Sequence, residues 1–592
     1  MIQIRQRKKT IRRLSLKIFV ILWLTNPLVH SENVSNTEPA HLILFNGTVA
    51  TLNKSFSIEQ AVAIRNHQIV AVGENAKALS HKGPESQIID LKGRFLMPGF
   101  IEGHGHYLSL GQSKQILDLS QAKSWDEIIS KVAIAVDRSD EGQWIEGRGW
   151  HQEKWISGQD DLIDGVPTNN RLNEIASANP VILEHASGHA AMANHLALRI
   201  SGIDEETPNP RGGKIVRDEN GIATGLLRET AQNLTASALA SSRSDLTEED
   251  VFNQMSEQVE LAAEEALQHG ITSFHDAGSN FSTIDFYKKL EQNKDLPVRL
   301  YVMIQGEDNE KLELNLKKYY SPYQENDFLT VRSIKAQLDG ALGSHGAWLL
   351  QPYTDLPESS GLVLKPLPIL KKTAMLALNY GFQLNTHAIG DRANQEILNL
   401  YENAVAQNKR ILRDLRWRVE HAQHIHPTDV PRFGKLGVIA SIQGVHCTSD
   451  GPWIATRLGE KRTKMTSYPW RNLIDTGAIV ANGTDTPVES INPIASFYSS
   501  VSRTMNNSER FHPSQSMNRI EALKSYTINN AIAAFEEEYK GSIEVGKLAD
   551  LVVLSENLLE VPDDQILSTE VDLTIVGGAI KYQRTGSIGV GH

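Results

Sequence analysis

The middle of this chain repeats one arrangement: a short apolar run that ends in polar residues or glycine, followed by an amphipathic helical segment. The runs "ITSFHDAG", "VRSIKAQLDG", "GFQLNTHAIGD", "LRWRVEHAQ", "GVIASIQ" and "AIVANGTD" all follow it. Strands that alternate with helices build parallel βαβ units, since a parallel neighbour is reached only by a crossover. Polar residues gathered at the carboxyl ends of such strands match the face where a (β/α)8 TIM-type barrel carries its active site. An open, doubly wound sheet shows the same alternation. The expected class is α/β, with the barrel ahead of the open sheet.

Two β-rich ends bracket this middle. "HLILFNGTVATLN" and "AVAIRNHQIVAVG" precede it, and "GSIEVGKLADLVVLS" and "LTIVGGAIKYQR" follow it; all alternate β-branched and polar residues, as short antiparallel strands do. Neither end is long enough to close a core alone, so the expectation is one small composite β-sandwich built from both. The domain reading is then residues 32–97 and 536–592 for the sandwich and 98–535 for the barrel. Between about residues 107 and 225 the rhythm breaks into "WIEGRGWHQEKW", "EHASGHAAMANHLAL" and "PNPRGGKIVRDENGIATG". That segment reads as an insertion covering a pocket or as an irregular surface excursion.

With 592 residues and 40% hydrophobic content the chain can bury a large core, which excludes general disorder. The net charge of -12, with basic clusters confined to the first twenty residues, argues against nucleic-acid binding and leaves a small-molecule partner. Residues 1–31 have the layout of an export signal: a basic head (Arg5, Arg7, Lys8, Lys9, Arg12, Arg13, Lys17), then an uncharged stretch from Ile18 to Val29. A membrane-spanning helix needs about 20 apolar residues. This stretch is shorter and contains Asn26 and Pro27, so removal after about Ser31, with no stable anchor thereafter, is expected over an uncleaved anchor. The expected destination is the periplasm or the medium. "RRLSLK" resembles a bacterial twin-arginine signal, with Ser15 where that pattern has an apolar residue; general export is the plain alternative. Cys447 is the sole cysteine, so no intrachain disulfide forms. Oligomeric state is left open, a homodimer included.

Chemistry concentrates at the strand ends. In "FLMPGFIEGHGHYLSLG", His104 and His106 stand at i and i+2, on one face of a strand, where two imidazoles can share an ion. A bare His-x-His is structural in about half of its occurrences or more. His387 in "NTHAIGDRAN" and His421 in "RVEHAQHI" hold equivalent places one βα unit apart, and four histidines at three strand ends form a metal-site hypothesis. Asp485 in "GTDTPVES" could accept a proton from water, or could simply open a turn before proline. Lys335 shares a face with Gln337 and Asp339; its ammonium either pairs with Asp339 or faces the histidines, where carbon dioxide could convert it into a bridging anion. Cys447 is expected to be an apolar filler on a strand beside His446, which could touch substrate. Trp150, His185 and His189 in the insertion are pocket candidates, each as readily a packing residue.

Together, "MPGFIEGHGH", "KAQLDGALGS", "HAIGDRAN", "VEHAQHI", "GTDTPVES" and "GSIEVGKLADLVVL" resemble the amidohydrolase superfamily, in the branch that includes N-substituted formamide deformylase. The resemblance runs from about His41 to Tyr582. It implies a (β/α)8 barrel with a composite β-sandwich and a centre of one or two divalent metal ions, zinc first. It further implies that His104 and His106 are first-strand ligands, Lys335 a carboxylated bridging lysine, His387 and His421 the fifth- and sixth-strand ligands, and Asp485 the eighth-strand ligand and proton shuttle. The implied activity is hydrolysis of a non-peptide C–N bond, in an N-formyl or N-acyl amine. Esters, lactones and cyclic amides at the same centre, or a non-catalytic binding or regulatory protein, are the alternatives. Gly444 departs from the pattern, which often has proline there.

Overall fold

The computed structural model describes residues 38–588 apart from 157–161, 307, 325–326 and 409–411. The chain divides into Met1–Pro39 and Ala40–His592, the second of which carries the fold. The export-signal reading of residues 1–31, with its twin-arginine variant, lies outside the described residues. Among those described, no helix is long and apolar enough to cross a membrane.

Eight strands form the central sheet: β1 (Phe100–Gly105), β2 (Ile271–Ser279), β3 (Arg299–Gln305), β4 (Leu329–Gln337), β5 (Gln383–Ala388), β6 (Arg418–His421), β7 (Ile439–Gln443) and β8 (Val480–Gly483). They lie in chain order and every pairing is parallel. The two edges meet. Asp485 N–H donates to the His104 carbonyl at 2.7 Å and His106 N–H to the Thr486 carbonyl at 2.8 Å. Thr484 donates its N–H and Oγ1 to the Glu102 carboxylate at 2.7 and 3.0 Å. Bridged at that seam, the sheet is a barrel, and the open doubly wound alternative falls. Gly483 permits the approach, since a Cβ there would stand 2.6 Å from the His104 nitrogen.

The period-2 pattern of the strands separates the two faces. All six residues of β5 are buried, and Leu384 and Ala388 join the apolar layer under the surrounding helices. Gln383 and Asn385 point inward instead, to the Tyr301 hydroxyl at 2.9 Å and the Met303 sulfur at 3.2 Å. The helices form because their termini are capped and their apolar stripes fit the barrel. In Glu248–Gln268, Thr247 and Asp250 make a reciprocal capping box, three acids occupy the first turn, and Val259, Ala262, Ala263 and Ala266 are buried.

The chain ends build two further sheets. In one, Gln68–Gly73, Ala61–Arg65, Ala40–Phe45 and Lys82–Asp90 are neighbours. In the other, Ala579–Gln583, Val571–Val576 and Leu551–Leu554 continue into Phe95–Pro98, Thr48–Ala50 and Ile58–Glu59. Leu42, Leu44, Val62 and Ile64 of the first share a core with Leu96, Leu551, Val553 and Leu573 of the second. The insertion is no irregular excursion: six strands between Leu117 and Glu229 form a sheet with its own core of Trp125, Ile128, Val132, Trp150, Leu183 and Met192.

Candidate metal centre

The carboxyl ends of the barrel strands converge on one point. The ligand atoms of His104, His106 and Asp485 all lie within 4.8 Å of one another. His104 ends β1, His106 precedes the helix Tyr107–Ser113, and Asp485 follows β8. His106 Nε2 is 3.2 Å and His104 Nε2 3.5 Å from Asp485 Oδ1. The His421 ring centre stands 4.9 Å from that of His104 and 4.4 Å from that of His387. Lys335 Nζ donates to His104 Nε2 at 3.1 Å. All six residues line one cavity of about 550 Å³.

The donor set suits a divalent cation. His387 Nε2 and Asp485 Oδ1 are buried with no hydrogen-bond partner, a costly condition unless something else engages them. Burial lowers the pKa of His104, with Lys335 adding to the effect, and puts His387 and His421 well below the ordinary imidazole value. These rings therefore offer neutral lone pairs near pH 7. Burial alone would raise Asp485, but His104 and His106 outweigh it and hold its carboxyl well below the usual range. Burial pulls the Lys335 ammonium pKa down, although Glu420 and Asp485 oppose this.

Neighbouring acceptors choose which imidazole nitrogen faces the centre. His104 Nδ1–H donates to Glu420 Oε2 and His421 Nδ1–H to Gln443 Oε1 at 2.8 Å, which leaves both Nε2 atoms as ligands. Strand alternation alone would send Glu420 and His421 to opposite faces. His421 has φ of 74° and Ala422 of 43°, so β6 ends in left-handed backbone that turns the His421 ring back over the barrel while Glu420 stays inside it. Asp485 is likewise left-handed, with φ of 59°. Asp339 does not pair with Lys335. Its carboxylate accepts the N–H groups of Trp348, Ile389 and Gly390 at 2.8, 3.0 and 2.9 Å, and burial pushes its pKa up to about 7 against them.

The insertion delivers one side chain to this centre. The His189 ring is 5.2 Å from that of His387 and lines the cavity. Its Nδ1–H donates to Glu229 Oε2 at 2.6 Å, and Ser344 Oγ donates to the other carboxylate oxygen at 3.1 Å. Burial would lower His189, but Glu229, joined by Asp485 and Asp339, raises it overall. His185 and Trp150 stand behind the wall. Trp150 is fully buried and donates Nε1–H to the Leu183 carbonyl at 2.8 Å, and His185 is held by Ser187 and Gln152. His446 stacks 6.4 Å from His421 and lines a side pocket of about 60 Å³ with Asp485 and His189. His446 and Cys447 lie on the helix Gly444–Leu458, not on a strand, because β7 stops at Gln443. Cys447 is buried and its thiol is pushed up to about 11 by that burial. Gly444 gives its N–H to Asn482 Oδ1 at 2.9 Å, a bond that proline could not make.

Glu420, Gln443 and Glu229 are the residues that sequence reasoning missed. For Gln443 the usable signal was its position at the end of β7; strand alternation hides Glu420, and nothing local marks Glu229.

The model of the amidohydrolase family matches residues 87–582. The protein LONG AFTER FAR-RED 3 of Arabidopsis thaliana is 34% identical over 94% of this chain and 95% of its own. N-substituted formamide deformylase of Arthrobacter pascens is 27% identical over 93% of this chain and all of its own. An uncharacterized metal-dependent hydrolase of Pyrococcus horikoshii OT3 has the same architecture, with a TM-score of 0.69, 27% identity, and coverage of 88% of this chain and 99% of that one. A barrel with its donors at the strand ends, and a family match across most of its length, make this chain a member of the amidohydrolase family.

Proposed function

We propose that this protein is a metal-dependent hydrolase of a non-peptide C–N bond, with an N-formyl or short N-acyl amine as substrate. The observation that carries the reading is the convergence of the His104, His106 and Asp485 ligand atoms within 4.8 Å at the barrel mouth. His387, His421 and Lys335 complete the proposed donor set. A divalent cation, zinc in the first instance, supplies there a water acidified to a pKa of about 7 and Lewis acidity toward the carbonyl. Lys335 carries its amine on the cavity wall, where it can add carbon dioxide and lose a proton to become a carbamate. That change would exchange its donor contact with His104 Nε2 for an anionic ligand.

Asp485 accepts the proton of the attacking water and returns it to the leaving nitrogen. Its buried Oδ1 lies 3.2 Å from His106 Nε2 and 3.5 Å from His104 Nε2, at the point where the candidate donors converge. His189, oriented by Glu229, faces the same space and can hydrogen-bond the substrate. The side pocket of about 60 Å³ beside His421, His446 and Asp485 suits a formyl or other small acyl group, and the cavity of about 550 Å³ suits the amine. The relative named N-substituted formamide deformylase supports the same choice.

The test is primary-amine release from N-formyl and N-acyl amines before and after chelation and metal restoration. Metal-dependent release is the expected result. Metal-loaded protein that releases no amine, yet hydrolyses esters or lactones, would move the assignment to those substrates, and inactivity on all of them would favour a binding role. Asp485→Asn is expected to keep bound metal, measured by elemental analysis, and to lose several orders of magnitude in kcat. Near-normal turnover would remove Asp485 from the proton path. Export through residues 1–31 is proposed from their composition, and N-terminal sequencing of the mature protein checks it.

A further inference from the structure

The side pocket beside Asp485 is walled in part by a histidine that the proposed donor set does not use. His446 lines it together with His421, Asp485 and His189, but is absent from the described lining of the main cavity. It stands in the first turn of the helix Gly444–Leu458, the end at which aligned peptide dipoles favour negative charge. The start of that helix is fixed. Gln443 Oε1 accepts His421 Nδ1–H at 2.8 Å, and Gly444 N–H donates to Asn482 Oδ1 at 2.9 Å. One turn thus sets His446 relative to a candidate ligand, with the His421 and His446 rings 12° from parallel and their centres 6.4 Å apart.

His446 is 8% exposed, and its Nε2 is buried with no hydrogen-bond partner among the described residues, as is Nε2 of the candidate ligand His387. The two carboxylates that couple to it electrostatically are engaged elsewhere. Asp450 accepts the Tyr468 hydroxyl at 2.6 Å and Gln423 Nε2–H at 3.1 Å. Glu489 accepts the Lys154 ammonium at 3.0 Å and the Ser449 hydroxyl at 2.5 Å. These bonds also commit Gln423 and Lys154, two other donors on the pocket wall, and Leu342, Ile389, Trp453 and Val488 make much of the rest apolar. A buried imidazole nitrogen left open in such a place is costly unless a ligand atom engages the ring.

We propose that His446 is a catalytic residue whose imidazole N–H donates to the carbonyl oxygen of the scissile amide and holds the negative charge that gathers there as water adds. The proposal rests on the amide-hydrolase reading, with the acyl group seated in the side pocket. The oxygen of water bonds to the carbonyl carbon and the C=O electron pair moves onto the carbonyl oxygen. On collapse that pair returns, the C–N bond breaks, and the nitrogen takes the proton held by Asp485, which gives formic acid and the amine. Because His446 lines the side pocket and not the main cavity, it serves the acyl half whatever the amine is. A preorganised donor at an oxyanion contributes roughly a hundredfold to a thousandfold in kcat.

The test follows formate release from N-butylformamide and N-cyclohexylformamide by the metal-loaded full chain, in wild type and His446→Ala, with bound metal measured in both. The variant should keep its metal and a KM near that of wild type, and lose roughly a hundredfold or more in kcat, by the same factor for the two amines. Added imidazole, which supplies the missing N–H, should restore part of the loss in the variant. A kcat within about threefold of wild type, a loss that tracks lost metal, a loss that differs between the amines, or one that imidazole leaves untouched overturns the proposal. Equilibrium binding of formate to the same metal-loaded proteins separates this failure from that of the hydrolase reading. No formate release by wild type, with formate bound roughly tenfold or more weaker by His446→Ala, would sustain the contact and sink the amidase. Release by wild type with an unimpaired variant would do the reverse, and neither release nor a difference in binding would overturn both.

Discussion

Glu420 decides which nitrogen His104 presents. Burial pushes its carboxyl up, but His104 beside it and Arg418 two residues back hold it below the usual range, so it is an anion at the inner end of β6. Glu420→Gln keeps the shape and removes the charge. The expected result is a loss of tenfold or more in metal affinity, measured by titration against a chelator, with the fold retained. Unchanged affinity would show that His104 is oriented by packing alone. The six candidate ligands were legible because each is a polar residue at the end of an apolar run, where barrel geometry collects such residues. Glu420 was not, because alternation assigns it the face opposite His421, and only the left-handed φ of His421 reconciles the two. Trp150 misled for another reason: a tryptophan in a glycine-rich insertion looks like a pocket wall, yet its indole N–H had a carbonyl to satisfy inside the inserted sheet.

Among the elements, the join between barrel and sandwich carries a buried ion pair. Arg299 opens β3, and its Nε and Nη2 donate to Asp550 at 2.8 and 3.3 Å, while Asp550 also accepts Gly577 N–H at 2.7 Å. Asp550→Ala removes the carboxylate that two guanidinium nitrogens of buried Arg299 engage, so a loss of about 3–5 kcal/mol is expected, read as a lower urea midpoint. A loss under about 1 kcal/mol would mean that the other contacts of Arg299, such as that to the Asp327 carbonyl, compensate for the carboxylate. The β texture at both chain ends made the composite sandwich readable from sequence. The insertion's ordered sheet was not readable: its strands mix parallel and antiparallel neighbours and are separated by glycine-rich turns, so neither a period nor an alternation repeats.

For the whole molecule, acid stability depends on histidines buried without charge. Burial alone holds His424 down to about 3, with its Nδ1 3.0 Å from Ser467 Oγ. Burial and neighbouring cations hold His345 down to about 4. Unfolded, each would titrate near 6.5, so below that pH the unfolded chain binds more protons and stability falls as the pH drops towards the folded values. Glu102 and Asp339, raised by burial to about 8 and about 7, act in the opposite direction. The useful measurement is therefore a difference. In metal-free protein, the stability advantage of wild type over His424→Asn should shrink by about 1.4 kcal/mol per pH unit below about 6, by urea unfolding. A constant difference would mean that His424 is protonated in the native fold.

The seam between the first and last barrel strands also sets a schedule. Thr484 and Glu102, 382 residues apart, meet there, as do His104 and Asp485. During synthesis the early partner of each pair leaves the ribosome long before the late one exists. A cation that needs both can be captured only by a chain whose last barrel strand has been made, and it cannot serve as a template for the first half. The ion such a protein acquires is then chosen by the pool surrounding it where the barrel closes, as well as by the ligands themselves.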